Sequence, residues 1–141
     1  MSAQDSAALV RTIYEAYDDR AFDRAAAIVT DDFAFTMVPT GQVFHGPDGM
    51  RQYLGAWAEG FPDSRADITN VVSQGDGATV EFTGHGTHSG TLRTPMGDIA
   101  ATGRQAELQF SDTYEIQSGK IASGRTYFDM ASLMRQLGLM A

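Results

Sequence analysis

The stretch Ala106-Glu-Leu-Gln-Phe-Ser-Asp-Thr-Tyr-Glu115 alternates residue by residue between apolar and polar side chains. Such alternation is typical of a β-strand with one buried face and one face in water. Leu108, Phe110, Asp112 and Tyr114 share one face, and the other face carries only polar residues. A single carboxylate therefore lies among apolar and aromatic side chains on the face that we expect to be buried.

The same alternation continues on both sides of this strand and predicts a sheet in the second half of the chain. Strands are predicted at residues 66–74, 78–92, 104–116 and 121–128. Glycine-containing turns at residues 75–77 and 117–120 join the outer pairs, and residues 94–98 form a longer connection between the middle strands. Strands joined in this order form an antiparallel meander.

The first half of the chain has the periodicity of amphipathic helices instead. Apolar residues recur from Leu9 to Tyr17 and from Phe22 to Val29, and a short strand is predicted at residues 33–37. A third helix opens at Gly46-Pro47, where proline is tolerated, and a last helix follows Asp129, which caps its amino end. These elements predict an α+β fold, with N-terminal helices packed on a strongly curved, mostly antiparallel sheet that forms an open cone.

Composition restricts the classes of function. The 141 residues are 43% hydrophobic, which suits one domain over residues 1–141 with its own core. Asp and Glu number 18 against 10 Lys and Arg, and the net charge of −8 argues against nucleic acid and anionic membranes as partners. The absence of cysteine excludes thiol chemistry. Neither a spanning apolar run nor a signal-peptide pattern is present, so we expect a cytoplasmic protein.

Asp112 is the main candidate catalytic residue. Burial of a carboxylate raises its pKa, and a pKa near neutral suits a general base. The alternative is that Asp112 lies at the rim of the sheet, in water or held by a backbone donor or an arginine.

The preceding predicted strand carries His88 on the same face as Phe82, together with Gly84 and Gly86. Glycines on that face either let the sheet bend or leave room for a ligand. If the connection turns near residues 98–100, antiparallel pairing places His88 across from Asp112, as a pair inside the cone. His85 faces the opposite side from His88, so the histidines predict no metal site, and no glycine motif predicts a nucleotide or flavin cofactor.

The pairing of the last strand depends on the turn before it. An even number of turn residues places Arg125 opposite Asp112, where an ion pair would lower the pKa of the acid. An odd number places Thr126 there instead and leaves the acid poorly paired. The apolar pattern favours Ala122, Gly124, Thr126 and Phe128 facing inward.

Short motifs spread over nearly the whole chain carry a family resemblance. They are Phe44-His-Gly46-Pro47, Gly86-Thr-His-Ser-Gly90, Ala101-Thr-Gly103-Arg104, Asp112-Thr-Tyr114, Arg125-Thr-Tyr-Phe-Asp129 and Leu133-Met-Arg-Gln-Leu-Gly138. In order and spacing they resemble the SnoaL-like polyketide cyclases of the nuclear-transport-factor-two, or cystatin-like cone, superfamily. The resemblance implies cofactor-free closure of a polyketide ring by an acidic residue on the last strand. It places that position at Thr126, which cannot act as a base, and a second polar pocket position at Asp112.

Residues and resemblance together predict a cofactor-independent, cyclase- or isomerase-like enzyme that acts on an apolar cyclic or polyketide-like carbonyl compound. Asp112 would transfer the proton, and His88 would donate a hydrogen bond to the developing enolate oxygen. Substrate would be bound by Phe35, Trp57, Phe82, Phe110, Tyr114 and Thr126. The alternative is a noncatalytic small-molecule binding domain. We also expect a homodimer, because curved sheets of this type often pair back to back.

Overall fold

The computed structural model describes residues 2–141. Its elements, in chain order, are α1 (Ala3–Asp18), α2 (Phe22–Ala26), β1 (Val29–Met37), β2 (Gln42–His45), α3 (Gly46–Gly60), β3 (Arg65–Gln74), β4 (Gly77–Thr87), β5 (Leu92–Thr94), β6 (Gly97–Ile99), β7 (Gln105–Gln117), β8 (Lys120–Phe128) and α4 (Met130–Gln136). The predicted α+β class is confirmed.

One sheet of six strands, in the order β2-β1-β8-β7-β4-β3, makes up most of the molecule. Its neighbouring strands are antiparallel except β1 and β8, which run parallel. Register shifts interrupt the β1–β8, β3–β4 and β7–β8 pairs. Because such irregularities bend a strand and increase its twist, they help the sheet curve into an open cone.

The helices pack on the concave side of this sheet. α1 packs on β3 and β4, α3 on β1, and α4 on β7. The buried face of α1 includes Val10, Ile13, Tyr14 and Tyr17. Asp129 caps α4 as predicted, since its side chain accepts a hydrogen bond of 3.2 Å from the backbone N–H of Ser132. The concave space between helices and sheet is where a ligand site can form.

Three parts of the predicted sheet differ from the structure. The strand predicted at residues 33–37 begins at Val29, where the helical pattern had been extended. The strand predicted at 78–92 ends at Thr87, and residues 92–94 and 97–99 form a separate two-stranded hairpin. The segment predicted as one long connection is therefore partly a strand pair. β2 was not predicted, because its four residues are too few to display a period.

Candidate active site

Asp112 lies near the middle of β7, on the concave face of the sheet. The inward residues of this strand are all buried, and Asp112 itself is only 2% exposed. Val80 of β4 and Thr126 of β8 are its neighbours across the two strand pairs. The alternative of a solvated carboxylate at the rim is therefore wrong, and Asp112 is a buried acid.

Two tyrosine hydroxyls bind one oxygen of Asp112. Tyr14 of α1 donates to Asp112 Oδ2 over 2.7 Å, and Tyr114 of β7 donates to the same oxygen over 3.3 Å. The two hydroxyls are also 2.7 Å apart. Burial, with the nearby Asp112 charge, raises the pKa of both phenols well above 10, so they remain donors at neutral pH.

The second oxygen of the carboxylate is not held in this way. Within residues 2–141, neither Asp112 Oδ1 nor the facing Thr126 Oγ1 makes a hydrogen bond, although both atoms are buried. The Thr126 hydroxyl is close enough to favour the charged carboxylate but lies outside hydrogen-bond geometry. Burial raises the pKa of Asp112 to about 6, and the hydroxyls of Thr126, Tyr14 and Tyr114 lower it in part. A carboxylate with this pKa and one free oxygen can accept a proton near neutral pH.

A β-bulge decides which residue of the last strand faces Asp112. Ser118 and Gly119 form a two-residue turn with positive φ, and Gln117 pairs with Lys120 across it. That even turn alone would place Arg125 opposite Asp112. One extra residue, Ala122, is inserted between the Ile116–Ile121 and Glu115–Ser123 pairs, so that Thr126 faces Asp112.

The carboxylate opens onto a cavity between the helices and the sheet. Its lining is mostly apolar and includes Ile13, Leu54, Trp57, Phe82, Leu108 and Phe110, together with the polar Tyr14, Tyr53, Asp112 and Tyr114. Arg65 and His85, paired residues of β3 and β4, also line the cavity and are exposed. The cavity therefore opens to solvent at this end and is apolar around the carboxylate.

The inward glycines of β4 are explained by protein packing. A Cβ at Gly84 would lie 2.9 Å from the Phe110 ring, and one at Gly86 would lie 2.8 Å from the Cβ of Ser64. Likewise, Gly124 of β8 leaves room for the rings of Tyr114 and Phe35. Neither a bend in the sheet nor space for a ligand is needed to explain Gly84 and Gly86, because other chain segments approach both glycines closely.

The cone fold agrees with comparison to known proteins. The chain matches the SnoaL-like polyketide cyclase family over residues 7–137. It belongs to this family. Membership supports a protein of the polyketide cyclase kind that takes small-molecule ligands. No curated protein matches the chain in sequence.

Solved structures share the fold. TsrD from Streptomyces laurentii is 24% identical, with 99% of each chain covered and a TM-score of 0.83. A protein provisionally assigned as a SnoaL-like polyketide cyclase from Jannaschia sp. CCS1 is 16% identical, with 99% of this chain and 95% of its own covered and a TM-score of 0.84. A Catenulispora acidiphila protein with the ketosteroid isomerase-like fold, in complex with trimethylamine, is 16% identical, covering 93% and 92%, with a TM-score of 0.77. At these identities the likeness shows the cone fold alone.

His88 does not pair with Asp112 in this SnoaL-like domain, and that prediction is wrong. Asp112 faces Val80, whereas the backbone of His88 bonds with Arg104 and Gly103. Eight residues, or about 26 Å of extended chain, separate His88 from Val80. The sequence interpretation placed the reversal near residues 98–100, but the chain between His88 and Gly103 leaves the main sheet.

His88 is instead a buried packing residue beside the sheet. Its Nδ1 accepts a hydrogen bond of 3.2 Å from the backbone N–H of Thr102, and its ring centroid is 5.2 Å from that of Phe61. Burial lowers the pKa of His88, which favours the neutral ring. His88 does not line the cavity.

The predicted substrate-binding residues divide into two groups. Trp57, Phe82, Phe110 and Tyr114 line the cavity of this SnoaL-like domain, whereas Phe35 and Thr126 do not. Phe35 packs behind the wall, with its ring centroid 4.6 Å from that of Tyr53. Phe35 and Thr126 therefore support the site from behind.

Sequence reasoning missed Tyr14 and Tyr53. Tyr14 follows Val10 by four residues and lies on the buried face of α1, which the helical pattern had indicated. Tyr53 similarly precedes Trp57 by four residues in α3. Both residues belong to apolar stripes, and a phenol in such a stripe is the signal that would have identified them.

Two negative observations apply to residues 2–141. No group of three or more His, Asp or Glu side chains in this range is arranged to hold a metal ion. None of the helices described there is long and apolar enough to cross a membrane.

Proposed function

We propose that this protein is a cofactor-independent enzyme that moves a proton on an apolar cyclic or polyketide-like carbonyl compound, with Asp112 as the base. The observation that carries this proposal is the asymmetry of the Asp112 carboxylate. Tyr14 and Tyr114 bind Oδ2, while Oδ1 has no hydrogen bond although it is buried. The chemistry is therefore assigned to Oδ1.

The proposed reaction begins with a proton on a carbon next to a carbonyl group. Asp112 Oδ1 takes this proton, the C–H bond breaks, and its electron pair moves to the carbonyl oxygen as an enolate. In an isomerase, the proton returns from Asp112 to another carbon. In a cyclase, the enolate carbon attacks a second carbonyl of the same molecule, and the proton goes to the alkoxide that forms.

The surroundings of Asp112 favour this role. The mostly apolar lining of the cavity desolvates the carboxylate and raises its pKa to about 6, so the base is charged at neutral pH yet is stronger than an ordinary aspartate. Tyr14 and Tyr114 fix the orientation of the carboxylate through Oδ2. An apolar molecule gains free energy on entering such a cavity, because its surface leaves water.

Hydrogen–deuterium exchange tests the proposal directly. 2-Tetralone, a fused-ring ketone with acidic C–H bonds, is incubated with the protein in D₂O, and loss of its α-proton signal is followed by NMR. We expect exchange above the buffer rate that increases with pH through about 6, as Asp112 loses its proton. Asp112→Asn should reduce the protein-dependent rate by about 100-fold or more, because Asn is not a base.

Asp32→Asn is the matched control, since Asp32 is an exposed aspartate of β1 and should leave the rate unchanged. Unchanged exchange in Asp112→Asn would contradict the proposal. A protein that binds 2-tetralone without exchanging its protons would favour the noncatalytic binding domain. The noncatalytic alternative is favoured by Thr126. This residue occupies the position where the family resemblance places the catalytic acid, and a threonine cannot act as a base.

A further inference from the structure

Trp57 carries a buried hydrogen-bond donor that has no acceptor. Its Nε1 is among the buried polar atoms without a partner in the described part of the chain. The indole ring packs edge-to-face against Phe110 and Phe128, with centroids 5.7 Å and 5.5 Å away. These rings hold the indole in place. Trp57 lines the same cavity as Asp112, so a ligand in this cavity can supply the acceptor that the buried N–H lacks.

This N–H belongs to a line of polar groups that ends at Asp112. The Tyr53 hydroxyl, one helical turn before Trp57, is close enough to both Trp57 and Thr126 for them to lower the pKa of the phenol, although burial raises that pKa overall. Thr126 in turn faces Asp112. Trp57 Nε1, Thr126 Oγ1 and Asp112 Oδ1 are all buried without hydrogen bonds. Because Trp57, Tyr53 and Asp112 line the same mostly apolar cavity, the unpaired N–H of Trp57 indicates a place for a polar group of a ligand.

We propose that Trp57 Nε1, together with the Tyr53 hydroxyl, donates hydrogen bonds to the carbonyl oxygen of the substrate. This inference rests on the proposed function and supplies the donor that the prediction had assigned to His88. An indole N–H only donates, so its partner must be an acceptor. On an otherwise apolar molecule, a carbonyl oxygen is such an acceptor.

In this proposal one pair of residues binds the carboxylate and another pair binds the substrate oxygen. Tyr14 and Tyr114 are already bound to Asp112 Oδ2. Trp57 and Tyr53 line the same cavity as Asp112, and we assign them to the carbonyl oxygen of the substrate. As negative charge develops on the carbonyl oxygen, fixed donors in a water-poor cavity bind it more strongly than they bind the ketone. Trp57 should therefore affect the rate of exchange more than the binding of 2-tetralone.

The wild-type protein permits a direct test, because the sequence contains one tryptophan and so one indole N–H signal in an NMR spectrum. 2-Tetralone is compared with tetralin, which has the same carbon skeleton without the carbonyl. We expect 2-tetralone to shift the NMR signal of the indole N–H proton downfield. Tetralin should cause no such downfield shift. An indole proton that responds equally to both compounds, or does not respond to 2-tetralone, overturns the inference.

Trp57→Phe supplies the kinetic test. We expect exchange of 2-tetralone to slow by roughly 10- to 100-fold, and the affinity for tetralin to change by less than about threefold. Phe61→Leu is the control for lost aromatic packing in the same cavity. It should lower the affinity of the protein for 2-tetralone and for tetralin equally. An unchanged rate of exchange of bound 2-tetralone in Trp57→Phe, with equal losses of affinity for 2-tetralone and tetralin, would overturn the inference. If that variant does not fold, the wild-type NMR comparison still decides.

The two proposals fail in different ways. Loss of exchange in Asp112→Asn with full exchange in Trp57→Phe would remove Trp57 from the mechanism and leave Asp112 as the base. Retained exchange in Asp112→Asn would instead overturn the proposed function.

Discussion

Asp112 lowers the stability of the fold at the pH where it is proposed to act. Its pKa rises from an ordinary 3.8 to about 6 on burial, so the folded protein holds this proton more tightly than the unfolded chain does. The stabilising contribution of the bound proton is therefore complete below about 3.8 and is lost as the pH rises through 6. At pH 7.5 the buried charge costs on the order of 3 kcal/mol.

We predict that Asp112→Asn is more stable than the wild type at pH 7.5, by about 1–3 kcal/mol. The amide keeps an acceptor for Tyr14 and has no charge to desolvate. The advantage should shrink by about 2 kcal/mol at pH 4.5, where the folded wild type is already protonated. Urea unfolding of both proteins at the two pH values measures the difference. A variant that is less stable than the wild type at pH 7.5 would contradict this account.

Side-chain alternation was sufficient to predict that Asp112 is buried, because inward and outward residues of a strand differ by one position. It could not predict what binds the carboxylate. Tyr14 comes from a helix 98 residues earlier in the chain, and such a contact depends on how α1 packs on the sheet. Thr126 was correctly predicted to face inward, but the bulge at Ala122 that places it opposite Asp112 has no turn residue to mark it.

The helix α3, which carries both Tyr53 and Trp57, contains two glycines with different environments. A Cβ at Gly49 would lie 2.7 Å from the backbone carbonyl carbon of Phe44, whereas a Cβ at Gly55 would have nothing within 4 Å. The first glycine allows α3 to approach β2 closely. The second only adds flexibility to the unfolded chain.

We predict that Gly49→Ala destabilises the protein by about 1–3 kcal/mol, because the methyl group must displace backbone. Gly55→Ala is the matched change in the same helix and should stabilise it by about 0.5–1 kcal/mol. Thermal unfolding of the two variants beside the wild type checks both signs. Similar effects of the two substitutions would mean that α3 does not pack on β2 as described.

Strand existence was easier to predict than strand pairing. The period-two pattern located β3, β4, β7 and β8 to within a few residues at most ends. The position of His88 failed because alternation continues past Thr87, where the chain leaves the main sheet, and periodicity carries no information about the partner strand. Because the chain reversal was predicted at the wrong position, His88 was paired with Asp112, whereas the residue that pairs with Asp112 is Val80, eight residues earlier.

The molecule combines a polar exterior with a mostly apolar cavity around Asp112. The outward residues of β7 are polar and mostly exposed. Apart from Asp112 and the exposed Arg65 at the cavity opening, the Asp, Glu, Lys and Arg side chains of the described residues lie outside the cavity lining. An uncharged apolar substrate is not repelled by this exterior as an anion would be. The homodimer expected from the curved sheet stays a prediction, as does a cytoplasmic location.

We propose that the cone holds Asp112 as a base with a pKa near neutral. This role is tested by a pH titration of the Asp112 carboxyl carbon by ¹³C NMR, with the signal assigned by its loss in Asp112→Asn. The account predicts a pKa of about 6 in the wild type. A pKa of about 4 or below would mean that the hydrogen bonds from the tyrosines outweigh the loss of hydration on burial. That result would contradict the proposal that Asp112 is the catalytic base.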